Sequence, residues 1–217
     1  MYEYFLLFGK YLPLLLDGLK YTMIIAVCGI ALGTVIGIIL CVMQIGKNKI
    51  LRQIAALYVT IIRGIPLMIL ALFLYFGVIK AALPVLMSAI IILGINCSAF
   101  ICEVFRSGIE AVDIGQMEAA RSLGLSYFQA MRKVILPQAI KITIPALMNQ
   151  FIASLKDTSI LSAISVTELT MSARTIIART YKAFELYSYA MIIYLVIITA
   201  LTGLSKYLEK RLSYDKR

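Results

Sequence analysis

The sequence predicts an all-α membrane protein of five transmembrane helices with one long basic loop between the third and fourth. Two observations carry that prediction. Of 217 residues, 62% are hydrophobic and 15% charged, against about 45–50% apolar and about 25% charged in soluble domains. The charges also gather at the ends of long apolar runs, so the medium around much of the chain is lipid.

Three runs are uninterrupted: Tyr21–Met43 has 23 residues without a charge, Ala81–Cys102 has 22 and Leu186–Ser205 has 20. Each reaches across ~30 Å of hydrocarbon, which takes about 20 helical residues. Two further runs are imperfect. Gln53–Ile79 contains Arg63, Gly64 and Pro66, and Ile142–Leu155 is followed by Lys156 and Asp157 before a second uncharged stretch to Thr167. Backbone irregularity at membrane depth is tolerated where it faces protein or a water-filled cavity, and transporters place broken helices at their solute sites. The expected spans are 15–44, 53–79, 83–105, 138–157 and 186–207, in one domain covering 1–217, with the loop at 113–137.

The net charge of +10 does not indicate nucleic acid, because the cations flank the spans. Thirteen lysines and arginines fall on the side that holds Lys47, Lys49, Arg52 and Arg106–Lys141, through to Lys216 and Arg217. Seven fall on the side of Lys10, Lys20, Lys80, Lys156, Arg174, Arg179 and Lys182. The richer side is expected to be cytoplasmic, which puts the N-terminus outside and the C-terminus inside. Cys28, Cys41, Cys97 and Cys102 all lie in apolar runs and read as packing residues. There is no histidine, no metal-ligand grouping and no basic n-region before the first apolar run, so neither a metal centre nor a cleaved signal peptide is expected.

In the inner loop, Asp113 with Gln116 and Ser126 with Gln129 have capping-box spacing. Gly124 suits a helix C-terminus, and Pro137 limits how a following helix continues. The loop therefore reads as a short helix over 115–123, a glycine turn, and a second helix from Tyr127. Ala119, Ala120 and Gly124 would let another surface approach the backbone closely.

Those residues carry a family resemblance. Glu118-Ala119-Ala120, three residues, Gly124, nine residues, Val134, one residue and Leu136-Pro137 resemble the EAA loop of ABC importer permeases, with Val134 where isoleucine is usual. Tyr58-Val59, Arg63 to Leu67, Glu103, Arg106 to Ile109, Gly115-Gln116 and Leu155 to Ser159 are similar to the polar amino-acid branch, and the similarity runs from Asp17 to Leu208. It implies a type I ABC importer permease fold in the cell membrane. It also implies that Gly115, Glu118, Ala119, Ala120, Arg121, Gly124, Leu136 and Pro137 form the surface coupled to the ATPase. The implied assembly is two permease chains, expected to be a homodimer, two ATPase subunits that bind ATP and Mg, and an extracytoplasmic solute-binding protein. This chain has no phosphate-binding G-x-x-x-x-G-K-[ST] loop, so hydrolysis is expected of the partner, with no cofactor and no catalytic residue here.

An acid at the centre of a span costs about 2.5–3.5 kcal/mol on insertion scales and so faces a cavity or a partner. Glu103 and Asp157 are candidates to hold a cationic solute. Glu103 can equally pair with Arg106 at i,i+3, and Asp157 can sit with Lys156 at the interface. Arg63 suits a carboxylate, or a pair with either acid. Gly64 and Pro66 would free backbone groups, Asn96 and Ser159 are polar candidates, and Leu67, Met68 and Phe100 could meet an aliphatic stem. The expected cargo is a polar, basic amino acid such as arginine, lysine or histidine. The alternatives are glutamine or another polar amino acid, and, in a different class, an ATP-independent channel or secondary transporter.

Overall fold

In a computed structural model, residues 2–79 and 82–214 are described. Lys80, Ala81, Lys216 and Arg217 of the sequence reading lie outside them. The described residues are helical, with no strand. Three helices, Leu7–Ile45, Val85–Glu110 and Ala183–Arg211, are long and apolar enough to cross a membrane, and there are five spans if each of two bent helix pairs counts as one.

Helix α1 (Tyr2–Ile45) has 44 residues, about 66 Å at 1.5 Å per residue. It outreaches the hydrocarbon layer. Its C-terminal half packs along α4 (Val85–Glu110). A Cβ on Gly29 would meet Leu93 at 3.0 Å, one on Gly33 would meet Cys97 and the Gly94 carbonyl at 2.9 Å, and one on Gly37 would meet Ser98 O and Ile101 at 2.9 and 3.0 Å. The partners advance in step with α1, so the two helices run parallel. Small residues at this spacing let the backbones close together where lipid supplies no hydrophobic drive.

Helix α2 (Lys49–Gly64) starts at Asn48, whose side chain accepts from Ile50 and Leu51 N–H. It meets α3 (Leu67–Leu72), extended by a π-helical stretch over Phe73–Ile79, at 106°. The sequence reading drew one span over 53–79, and the structure bends it sharply. Pro66 has no N–H to donate and pushes the preceding residue out of the helical region. Ile65 is extended at φ −102°, ψ 127°, and Pro66 follows at φ −58°, ψ 133°. Gly64 itself is still helical, so the proline is the breaker.

After the loop helix α5 (Ile114–Ser122), α6 (Tyr127–Ala130) passes through a π-helical turn at Met131–Ile135 into α7 (Leu136–Asp157). That turn immediately precedes Pro137, where a regular i→i−4 bond is impossible, and it absorbs the register change. Lys156 and Asp157 do not interrupt the helix. It tightens to 3₁₀ over Thr158–Ile164 and ends at Ser165 with φ +63°. Helix α8 (Leu169–Thr180) then turns 44° to pack on the N-terminal part of α1, and α9 (Ala183–Tyr214) completes the bundle. The segment after Asp157 is thus folded into the protein, with Leu161, Ile164, Val166, Leu169 and Ala173 all buried. Cys41, Cys97 and Cys102 are buried free thiols and Cys28 is an exposed one.

Candidate functional site

The bend after Gly64 leaves the end of α2 beside the C-terminal half of α4, and the two helices hold a row of alternating charges. Arg63 Nη1 lies 3.2 Å from Glu103 Oε2. Glu103 accepts two bonds from Arg106, Nε to Oε1 at 3.1 Å and Nη2 to Oε2 at 3.0 Å. Arg106 Nη1 also reaches both oxygens of Glu110, at 2.7 and 2.8 Å. Arg106 is therefore saturated between two carboxylates. Arg63 gives Glu103 a single contact, stays 45% exposed, and stands over the Phe100 ring at 5.6 Å.

This row separates two openings. One, of about 740 Å³, is lined from α1, α2 and α4, with Arg52, Thr60, Arg63, Glu103, Arg106 and Glu110. The other, of about 550 Å³, lies between α4 and α7, with Ser107, Thr143 and Gln150. Arg63, Phe100 and Glu103 line both. The larger holds three arginines against two glutamates, an excess of positive charge.

The structure brings Arg63, Gly64, Phe100 and Glu103 together and separates the rest. Leu67 is buried in the central core among Ile25, Leu161 and Ile164. Met68 is 52% exposed on the outside of its helix. Pro66 is the joint itself. Asn96 is buried within α4. Asp157 and Ser159 line neither opening. They lie at the end of α7 and in the 3₁₀ segment after it, beyond the Cys97–Ser154 contact of 3.0 Å, and Ser159 Oγ donates to Lys156 O at 2.7 Å. The i,i+3 pairing of Glu103 with Arg106 and its pairing with Arg63 are both present. A free acid awaiting a cation is not, because both Glu103 oxygens are engaged. Gln150, a polar pore candidate in the sequence, does line the smaller opening, whereas Arg106 as a saturated bridge, Glu110 and Arg52 had not been singled out. The spacing Glu103, Arg106, Glu110 on one helical face was the signal available for the first two.

In the loop, Asp113 caps α5 by accepting from Gly115 N–H at 2.7 Å. Gln116 does not reach back to close that box, and its amide oxygen instead faces Gln138 Nε2 at 3.4 Å. The Ser126–Gln129 box is complete, with bonds of 2.8 and 3.2 Å. Gly124 has φ +84°, a conformation that suits glycine. Glu118 and Ala119 are exposed, whereas Ala120 is buried and packs inward. Arg121 does not pair with Glu118: its Nη1 donates to Leu125 O at 3.1 Å and ties the turn. Ile114 and Leu123 at the two ends of α5 are 75% and 84% exposed. Leu136 and Pro137 begin α7, immediately after the π-helical turn.

Residues 29–214 match the family model described as "Binding-protein-dependent transport system inner membrane component". The chain belongs to that family. This inner membrane component is 41% identical over 199 residues to the Bacillus subtilis (strain 168) protein named "Probable glutamine ABC transporter permease protein GlnM", covering 91% of this chain and 92% of that one. It is 35% identical over 205 residues to the glutamine transport system permease protein GlnP of Escherichia coli K12, covering 93% and 94%. Among solved structures, an amino acid ABC transporter crystallised with histidines superposes at a TM-score of 0.91 with 39% identity, over 95% of this chain and 98% of that one. An inward-facing form of the MetNI methionine ABC transporter superposes at 0.79 with 20% identity, over 94% and 98%, which shows the shared fold. The protein is thus a multi-pass permease subunit of an ABC importer, and hydrolysis of ATP falls to a separate ATPase.

Proposed function

We propose that this permease carries a polar amino acid with an uncharged side chain, glutamine first, and that Arg63 holds its carboxylate. The observation that carries this reading is the charge row at the end of α2. Glu103 is held by two guanidinium groups, and the larger opening has more arginines than acids, so a cationic side chain would be repelled there. Arg63 keeps most of its donors and is exposed. Guanidinium matches carboxylate geometry. The last carbonyls of α2 have no continuing helix to bond, and a helix C-terminus favours a cation, which suits the solute ammonium. The names of the relatives support glutamine over the basic cargo expected from Glu103 and Asp157 as free acids. Competition of arginine, lysine, histidine, glutamate and glutamine against labelled glutamine in proteoliposomes tests this. Arginine uptake that glutamine fails to inhibit would refute it.

Open polar groups at membrane depth do not face lipid, which supports a second permease chain covering this face. We take it to be an identical copy, with two ATPase subunits binding ATP and Mg and an extracytoplasmic binding protein delivering solute. The N-terminus lies outside and the basic loops lie in the cytoplasm. The exposed edge of α5, with Gly115, Glu118, Ala119 and Leu123, meets the ATPase, while Ala120, Arg121 and Gly124 shape the turn behind it. Glu118→Lys is expected to leave ATP hydrolysis running without uptake. Co-purification of two differently tagged copies tests the homodimer, and labelling of a cysteine placed at position 118 from each side tests the orientation.

A further inference from the structure

A groove at the basic end of the bundle has a different character from the charged openings. It encloses about 630 Å³, within the roughly 300–1,000 Å³ range of small-ligand sites. Its walls include Ile38 and Val42 of α1, Phe105 of α4, and Phe128, Met131 and Ile140 of the helix that follows the loop. Lys47 is the one ionised residue along it. Ile38 and Val42 are 44% and 59% exposed. They continue the apolar outer face of α1 that also shows Val35 and Ile39, within the uncharged run that lies at hydrocarbon depth. At the other edge Tyr127 and Phe128 are 52% and 71% exposed, amphipathic and aromatic side chains of the kind that sit at the headgroup level. Lys47 is exposed and has no ion pair among the described residues.

We propose that this groove is a binding site for one anionic phospholipid, with an acyl chain against Ile38, Val42 and Phe128 and the headgroup phosphate on Lys47. The groove opens toward lipid along α1, which fits a lipid chain better than a protein segment. The cation stands where the apolar wall ends, as the charge and apolar parts of a phospholipid are arranged. Lys49 and Arg52 follow in the next helix, so the surrounding surface is positive and favours an anionic over a zwitterionic headgroup. One wall belongs to the α1–α4 pair and the other to the helix after the loop. A resident lipid therefore bridges the bundle and the segment that carries α5. The proposal rests on the groove and Lys47, not on the cargo or on the ATPase contact.

The complete importer, purified in mild detergent and examined by native mass spectrometry with equal amounts of phosphatidylglycerol and phosphatidylcholine, tests it. Phosphatidylglycerol is expected to be retained preferentially. Lys47→Gln should lower its retention about fivefold, the weight of one basic residue beside an anionic headgroup. Val42→Trp, which fills the groove from a lipid-facing position, should remove it. Ile39→Trp, on the outer face of α1 but not in the groove, should leave retention unchanged. Equal retention of the two lipids overturns the proposal. So does undiminished phosphatidylglycerol on the Lys47→Gln and Val42→Trp importers, or a complete importer that retains none because another subunit covers the groove.

Discussion

Glu103 on the C-terminal half of α4 and Glu168 at the start of α8 both place a carboxylate inside an apolar bundle, and the protein accommodates them in opposite ways. Glu168 is fully buried. It accepts Thr170 and Met171 N–H at 2.8 and 2.6 Å and the Tyr194 hydroxyl at 3.0 Å, while the neighbouring Leu169 N–H bonds Thr22 Oγ1 of α1 at 3.1 Å. Gly18 lies so close that a Cβ there would strike the Ser172 side chain. Three helices are locked at this point by short bonds from neutral donors. Glu103 is partly exposed, held by long guanidinium groups, and borders two openings. The closed region ties three helices together, and the open region leaves Arg63 accessible from both openings.

Four substitutions probe that contrast. Glu168→Ala removes a helix cap and strands two N–H groups and a phenol in the interior, for a loss of about 3 kcal/mol. A large drop in the melting temperature of the purified importer is expected, with partial recovery in Glu168→Gln. An unchanged melt would show that the outer anchor contributes nothing. Gly33→Val drives a side chain into Cys97 and the Gly94 carbonyl, and overpacking of that kind costs about 1–3 kcal/mol. It should lower the melting temperature too, and its effect should add to that of Glu168→Ala because the sites are far apart. Glu103→Gln should act on transport and not on the fold. Exposed ion pairs contribute about 0–1 kcal/mol, so the melt barely moves, while loss of the counter-ion that aligns Arg63 should lower uptake about tenfold. A melt that falls as far as in Glu168→Ala would place Glu103 with the anchors. Gly64→Ala should have the smallest effect. Nothing lies within 4 Å of a Cβ there, and alanine in a compatible helical position stabilises by about 0.4–1 kcal/mol. Uptake close to that of the parent is expected in a single-turnover assay.

Local chemistry was readable from the sequence where it is decided locally. The cap at Asp113, the box of Ser126 with Gln129 and the left-handed Gly124 follow from side chains three residues apart or from a missing Cβ. Tyr21–Met43 and Leu186–Ser205 fall within long helices, and Ala81–Cys102 supplies the first 18 residues of α4, which begins only after Pro84. The break at Arg63–Leu67 was visible, but its 106° angle was not, because Pro66 permits a bend while the packing of α3 on the 3₁₀ segment sets its size. The same holds for the site. Arg63 and Glu103 are 40 residues apart, and only the fold shows that Arg63 and Arg106 share one oxygen of Glu103. Lys156 and Asp157 looked like a break because charge was read as punctuation, yet a helix carries exposed charge without loss of hydrogen bonds. Glu168 was passed over in a segment rich in Ser and Thr. As the one charge between Asp157 and Arg174, it was the available sign of a buried partner network.

The parallel register of α1 and α4 has a mechanical meaning. With Gly29, Gly33 and Gly37 seated against Leu93, Cys97 and Ile101, neither helix can slide or roll without driving backbone into backbone, so the first and third crossings form a girder. On the proposed docking of α5 to an ATPase, force arriving there cannot be spent inside that girder. It passes to the joints at its ends: the extended residues Ile65–Pro66, where α2 swings against α3, and the glycine elbow at position 124. One joint sits beside Arg63 and the other beneath the helix that bears Glu118.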